Sequence, residues 1–116
     1  MPSRKPKAGL GKLAAARRRD VFFVLGEPTR RSLIELMAQG EQPFSRLWRH
    51  FSSSRQAVHN HLRVLCQSGL LSSRFAGNRR YYRLRSARLR EIREWLTHYE
   101  QLWRNERKSV QSRPRH

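Results

Sequence analysis

Acidic residues are scarce in this chain of 116 residues: eight Asp and Glu stand against 26 Lys and Arg, a formal net charge of +18. That excess is beyond what solubility requires and favours a polyanionic partner, nucleic acid or an anionic membrane surface. Cysteine is nearly missing as well. The lone Cys66 excludes an internal disulfide framework and a Cys-rich zinc module, and suits a reducing cytoplasm. Long apolar runs are absent: the longest, Val21-Phe22-Phe23-Val24-Leu25, is far too short for a signal-peptide core or a membrane span. Asp20 is the only aspartate, and no serine has a His/Asp partner pattern, so no enzyme is expected. The length suits one domain, and with only 37% hydrophobic residues its core must be economical, helical, and completed by a partner subunit.

What is abundant is arginine, and its placement matters. Residues 1–20 carry seven basic groups and one acid, and residues 104–116 carry five against Glu106. Between Glu41 and Glu91 lie eleven arginines and no carboxylate. A solvated face usually mixes signs. A guanidinium fork, by contrast, suits phosphate oxygens and guanine edges, so this stretch points to nucleic acid.

The apolar spacing divides the chain. Residues 1–8 have two prolines, several charges and no periodicity, and read as a disordered basic arm. Leu13, Ala14, Val21, Val24 and Leu25 form a loose helical stripe, ended by a left-handed cap at Gly26. A second helix fits 29–39 with Leu33, Leu36 and Met37 inward, and a short third fits 43–51 with Phe44, Leu47, Trp48 and Phe51 inward. Ser53-x-x-Gln56 has the form of a capping box that opens a fourth helix, which Gly69 ends. Val58, Leu62 and Leu65 form its buried stripe. Two strands, Leu70–Phe75 and Arg80–Leu84, flank Gly77-Asn78, a composition that accepts the positive φ of a tight hairpin. Ser86 is placed to cap a last helix. That helix carries Leu89, Ile92, Leu96, Tyr99 and Trp103 at steps of 3, 4, 3 and 4, a heptad seam of about two repeats.

Two short helices joined by a brief turn and followed by a hairpin make a winged helix-turn-helix. The expected fold is mainly α with a small β-hairpin: four helices, the wing, and a fifth, C-terminal helix. Burying Val58, Leu62 and Leu65 leaves Arg55, Gln56, His59, Asn60 and Arg63 on the opposite side. Gln and Asn bond adenine bidentately and Arg bonds guanine, so this row is expected to read the major groove. Arg79 and Arg80 at the hairpin tip are placed to clamp the backbone or minor groove, and Ser54 to donate to a phosphate.

Several segments resemble one family. Leu25-Gly-Glu-Pro-Thr-Arg-Arg-Ser-Leu-Ile-Glu-Leu-Met37 resembles the L-x-x-P-T-R-x-x-I-L-x-L-L opening of the ArsR family of bacterial winged-helix repressors. Ser54-Arg-Gln-Ala-Val-His-Asn-His-Leu62 is similar to its recognition-helix motif. Leu65-Cys-Gln-Ser-Gly-Leu-Leu71 resembles the exit into the wing, and Gly77-Asn-Arg-Arg-Tyr-Tyr-Arg-Leu84 the wing itself. Trp95-Leu-Thr-His-Tyr99 and Trp103 look like the last helix of a subgroup without the metal motif. The resemblance covers about residues 20–103. It implies a homodimeric, sequence-specific regulator of transcription on double-stranded DNA, most often a repressor. Its first and last helices then form the dimer interface, here Leu13 with Leu89, Ile92, Leu96, Tyr99 and Trp103. His59 and Asn60 stand where many relatives have Ser and Lys, so no operator carries over.

No cofactor or metal is expected. The third-helix segment Gln42–Trp48 has no thiol or imidazole, and His59 and His61, two apart, lie on different helix faces. His61 aligns with a structural histidine of the family. Cys66 reads as a small buried hydrophobe, with no resolving cysteine to support a redox role. The expected layout is a basic arm 1–8, a DNA-binding and dimerisation domain 9–103 with recognition helix 54–68 and wing 70–85, and a basic extension 104–116. The protein is expected in the cytoplasm, associated with the bacterial nucleoid, with no membrane partner and no identifiable effector. Two alternatives are a sequence-independent RNA-binding or nucleoid-type module and a winged-helix protein-interaction adaptor. The arginine run speaks against the adaptor.

Overall fold

The computed structural model describes residues 20–112. The basic arm 1–8, Leu13 and residues 113–116 lie outside them.

Helix α1 (Val21–Val24) is a single turn. The Asp20 carboxylate caps it, accepting from the Phe22 and Phe23 amides at 2.8 and 3.4 Å. Val21 and Val24 enter the core while Phe22 and Phe23 face out. Gly26 follows without the positive φ of a left-handed cap. Helix α2 (Pro28–Met37) has proline in its first turn, where a missing N–H costs nothing. The Glu27 carboxylate caps it by accepting from the Thr29 amide, a bond that holds that carboxyl below its usual range. Leu33 and Met37 are its buried face.

Helix α3 (Phe44–Trp48) is shorter than the spacing predicts, and Trp48 and Phe51 pack only partly against the core. Pro43 belongs to a strand, β1 (Gln42–Pro43), which sequence reasoning missed. A two-residue strand has no periodicity to read, and proline suits the unpaired side of an edge.

Helix α4 (Arg55–Gln67) buries Val58, Leu62 and Leu65 as expected. Its cap is one residue later than the capping box places it. Ser54 Oγ accepts from the Ala57 amide at 3.1 Å, and the third helical position is then Ala57, whose methyl group cannot reciprocate. Gly69, at φ 82°, ends the helix. The buried Ser68 is satisfied locally, donating to the Leu65 carbonyl at 2.8 Å.

Strands β2 (Leu71–Ala76) and β3 (Arg79–Leu84) form the hairpin, in a register that runs from Leu71 opposite Leu84 to Ala76 opposite Arg79. Gly77 takes φ 65° and Asn78 does not go positive, the signs of a two-residue type II′ turn. β1 pairs with β3, giving a three-stranded antiparallel sheet in the order β1-β3-β2. Of the paired tyrosines, Tyr82 points inward and is 3% exposed.

A 3-10 turn (Ser86–Arg88) leads into α5 (Leu89–Ser112). Ser86 is its first residue rather than a cap, since the preceding Arg85 holds the capping position without a side-chain bond. The helix runs past Trp103 to Ser112, taking in much of the segment read as a basic extension. Arg88 fastens it to the end of α4: its guanidinium donates to the Ser68 carbonyl and forms an ion pair with Glu91 at 2.8 Å. Twelve residues from Val21 to Tyr82, drawn from α1 to α4 and the hairpin, make one core, with Leu89 and Ile92 packed partly against it from α5.

Candidate nucleic-acid interface

The buried stripe of α4 fixes its rotation, and that rotation sets what faces out. Arg55, Gln56, Asn60 and Arg63 are exposed, and Ser54 lies at the N-terminal end of the same helix. Gln56 and Asn60, one turn apart, are joined: Gln56 Nε2 donates to Asn60 Oδ1 at 3.2 Å. This bond orients two amides on neighbouring turns of the exposed face.

His59 is half-buried. Its ring lies flat on Phe44, with centroids 3.8 Å apart and planes 3° from parallel. Burial, then the charges of Arg55, Arg80 and Arg63, push its imidazole below the ordinary value of 6.5. The Arg55 guanidinium lies over Phe44 and Trp48, at 5.5 and 5.0 Å from the ring centroids. Trp48 is itself fixed, its indole N–H donating to the Ser53 carbonyl at 3.0 Å. Phe44 and Trp48 are expected core residues whose second role, as the shelf under Arg55 and His59, has no signature in spacing.

The wing arginines are not equivalent. Arg79 is exposed beside the turn. Arg80 folds back along the sheet, donating through Nε and one terminal nitrogen to Ser73 Oγ at 3.2 and 2.9 Å. Its guanidinium also lies over Phe75 and Tyr82. Between α4 and the wing runs a groove of about 250 Å³ that includes Gln56, His59, Arg63, Arg80 and Cys66 in its lining. Burial pushes the Cys66 thiol up, away from the reactive thiolate. On the sheet's other face Arg74 grips Glu41 through two bonds of 2.8 and 2.7 Å and lies over Tyr81.

His61 has a structural partner: Arg30 Nε donates to its Nδ1 at 3.3 Å, while Arg30 also donates to the Val24 carbonyl at 3.1 Å. α2 and α4 are tied together by this link. Among the described residues no three His, Cys, Asp or Glu side chains gather to hold a metal. No helix among them is long and apolar enough to cross a membrane.

A second surface lies on α1 and α5. Phe22 packs edge-on against Trp95 at 5.4 Å, Trp95 against Tyr99 at 5.2 Å, and Tyr99 stacks with Trp103 at 6.3 Å. Yet Phe22 is 43% exposed and Trp95 48%, and Phe23, Leu96, Tyr99, Leu102 and Trp103 are exposed too. The heptad seam therefore splits. Its N-terminal members Leu89 and Ile92 pack on the chain's own core, while Leu96, Tyr99 and Trp103 remain open. Phe22, Phe23, Trp95 and Leu102 widen the open face beyond the seam, and a strict heptad count passes over them.

Residues 27–73 match the model of the bacterial regulatory protein arsR family. The HTH-type transcriptional regulator Rv2034 of Mycobacterium tuberculosis is 37% identical over 75 residues, covering 65% of this chain and 70% of that protein. This chain belongs to the ArsR family. The transcriptional repressor SdpR of Bacillus subtilis is 28% identical over 80 residues, covering 69% of this chain and 89% of that protein. A crystal structure described as a possible transcriptional regulator for arsenical resistance superposes with a TM-score of 0.60 at 38% identity, over 78% of this chain and 94% of the other. The homodimeric winged helix-turn-helix DNA-binding domain Mb0332 from Mycobacterium bovis shares the fold, with a TM-score of 0.57 at 22% identity over 86% and 93%. This ArsR-family protein is a winged helix-turn-helix transcriptional regulator, and the family and these relatives are regulators rather than enzymes.

Proposed function

We propose that the protein is a homodimeric repressor that recognises a specific sequence in double-stranded DNA. The observation that carries this reading is the exposed face of α4, where Gln56 and Asn60 are already hydrogen-bonded to each other and Arg63 stands one turn further on. Bonded amides and a guanidinium are the groups that read adenine and guanine edges in the major groove. Ser54 and Arg79 contact phosphates on either side of these readers. Arg80, held by Ser73, faces the groove between helix and wing. Arg55 and His59, seated on the Phe44–Trp48 shelf, offer rigid edges to the duplex.

The dimer is formed through the open aromatic face of α1 and α5. A row of half-exposed Trp, Tyr, Phe and Leu side chains is costly in water and is covered when a second copy packs against it. Leu96, Tyr99 and Trp103 lie within this interface, and Leu13 belongs to the segment that precedes α1. Leu89 and Ile92 support it from below. The Mycobacterium bovis homodimer supports the assembly, and the name of the Bacillus relative supports repression. Two recognition helices then address successive major grooves, about 34 Å apart. The protein works in the cytoplasm, on the bacterial chromosome.

The test is fluorescence anisotropy against a random duplex pool at several salt concentrations, with sequencing of the retained DNA. Enrichment of one inverted repeat that survives physiological salt is the expected result. Binding equal for all sequences and abolished by salt replaces the specific repressor with a nucleoid-type protein.

A further inference from the structure

Phe75 is the most exposed large hydrophobic residue among those described, at 67%. Its position follows from strand alternation. Leu71, Ser73 and Phe75 share one face of β2, opposite Leu84, Tyr82 and Arg80 of β3. This is the face turned to the core, where Leu71 and Tyr82 are buried. Phe75 stands on the same face one step beyond the point where the core ends. Its cross-strand neighbour Arg80 lines the groove beside α4, so the phenyl ring projects past the open end of that groove.

In water the hairpin gains little from a phenyl ring two-thirds exposed, beyond its contact with the Arg80 guanidinium. Around it, the tip offers Gly77, Asn78 and Arg79, and Arg80 lies 5.4 Å over the ring with two of its five N–H donors given to Ser73. An apolar ring framed by cations and continuous with a DNA-reading helix matches one surface chemistry. That surface is the minor groove, with its apolar sugar walls between two rows of phosphates, where apolar side chains enter between arginines and unstack or widen a base step.

We propose that Phe75 is a minor-groove contact of the wing, entering beside the half-site while Arg79 takes the flanking phosphate. The inference rests on the DNA-binding reading given above. Phe75 supplies affinity without charge, and it favours flanking sequences that are easily opened, such as pyrimidine–purine steps.

The experiment measures anisotropy on the selected duplex as a function of salt for wild type, Phe75→Ala, Phe75→Leu, Arg79→Ala, Arg80→Ala and the Phe75→Ala/Arg80→Ala double variant. Phe75→Ala is expected to weaken binding about tenfold, the effect of covering roughly half a phenyl ring. Its salt slope stays that of wild type, because no counterion is released by an uncharged side chain, whereas Arg79→Ala lowers the slope by about one. Phe75→Leu recovers part of the loss, and far-UV circular dichroism shows every variant folded. The same tenfold loss in the Arg80→Ala background supports direct contact. A loss that vanishes in that background, or a fallen salt slope for Phe75→Ala, shows a ring that merely holds Arg80 and overturns the proposal. Phe75→Ala binding as wild type does on a retained duplex overturns it alone. A wild-type protein that retains no duplex removes the DNA-binding reading of the whole face, and the role of Phe75 with it.

Discussion

His59 and Phe44 lie face to face, 3.8 Å apart, although they belong to different helices. The stack ties the half-buried His59 of α4 to a residue of the core. Arg55 leans over the same ring, so one phenyl group positions two side chains of the proposed interface. Phe44→Ala is therefore expected to cost about 3–5 kcal/mol in stability by urea denaturation. Phe44→Leu, nearer in volume, is expected to restore most stability but not wild-type operator affinity. If Phe44→Leu binds DNA like wild type, the shelf has no part in recognition.

His59 also sets an acid response. Burial lowers its folded-state value below 6.5, so protonation favours the unfolded chain. The contribution is complete above pH 6.5 and is lost as pH falls through the lowered value. The carboxylates Glu27, Glu41 and Glu91, all held below their ordinary 4.5, lose theirs only at more acid pH. His59→Gln is expected to flatten the decline in stability just below pH 6.5 and leave the more acid one unchanged. Chemical denaturation at half-unit pH steps measures both.

The helix cap separates two adjacent serines. Ser54→Ala removes the hydrogen bond to the Ala57 amide and is expected to cost about 1 kcal/mol. Ser53→Ala should fall within about 0.5 kcal/mol of wild type, since Trp48 bonds its backbone carbonyl rather than its hydroxyl. Equal losses at the two positions would return the cap to Ser53.

Arg63 tests base reading. Arg63→Ala is expected to weaken operator binding by about 1–3 kcal/mol and to relax preference at one base position. Competition titrations with single-base operator variants measure this, and a loss equal on every sequence reduces Arg63 to a phosphate contact.

Leu102, half-exposed on the open face of α5, tests assembly. Leu102→Glu puts a charge into a surface proposed to be covered, at a position already wet in the single chain. Sedimentation velocity should show at least a tenfold weaker dimer, about 1.4 kcal/mol, with the helical signal unchanged. An undisturbed dimer would move the interface elsewhere.

The order of elements was legible in the chain because each helix announces itself by a stripe that must be buried. Val58, Leu62 and Leu65 on α4, or Leu33 and Met37 on α2, leave one rotation open to each helix, and that rotation alone exposes Gln56, Asn60 and Arg63. The hairpin was equally plain, since Gly77 meets the one position that requires positive φ. Local chemistry settles such features.

Other features depend on residues far apart in sequence. The β1 pairing of Gln42 with Tyr82, the grip of Arg74 on Glu41 and the link from Arg30 to His61 join segments more than thirty positions apart. So, too, Arg80 reads in the sequence as a free clamp at the tip, and only the cross-strand register lays it on Ser73 between Phe75 and Tyr82. The heptad rule marks Leu89 through Trp103 as one seam, yet the docking of α5 packs only Leu89 and Ile92 partly against the core and leaves the rest open. A periodic pattern states that a face will be covered. Which face meets the chain's own core, and which waits for another surface, is decided by where the helix lands.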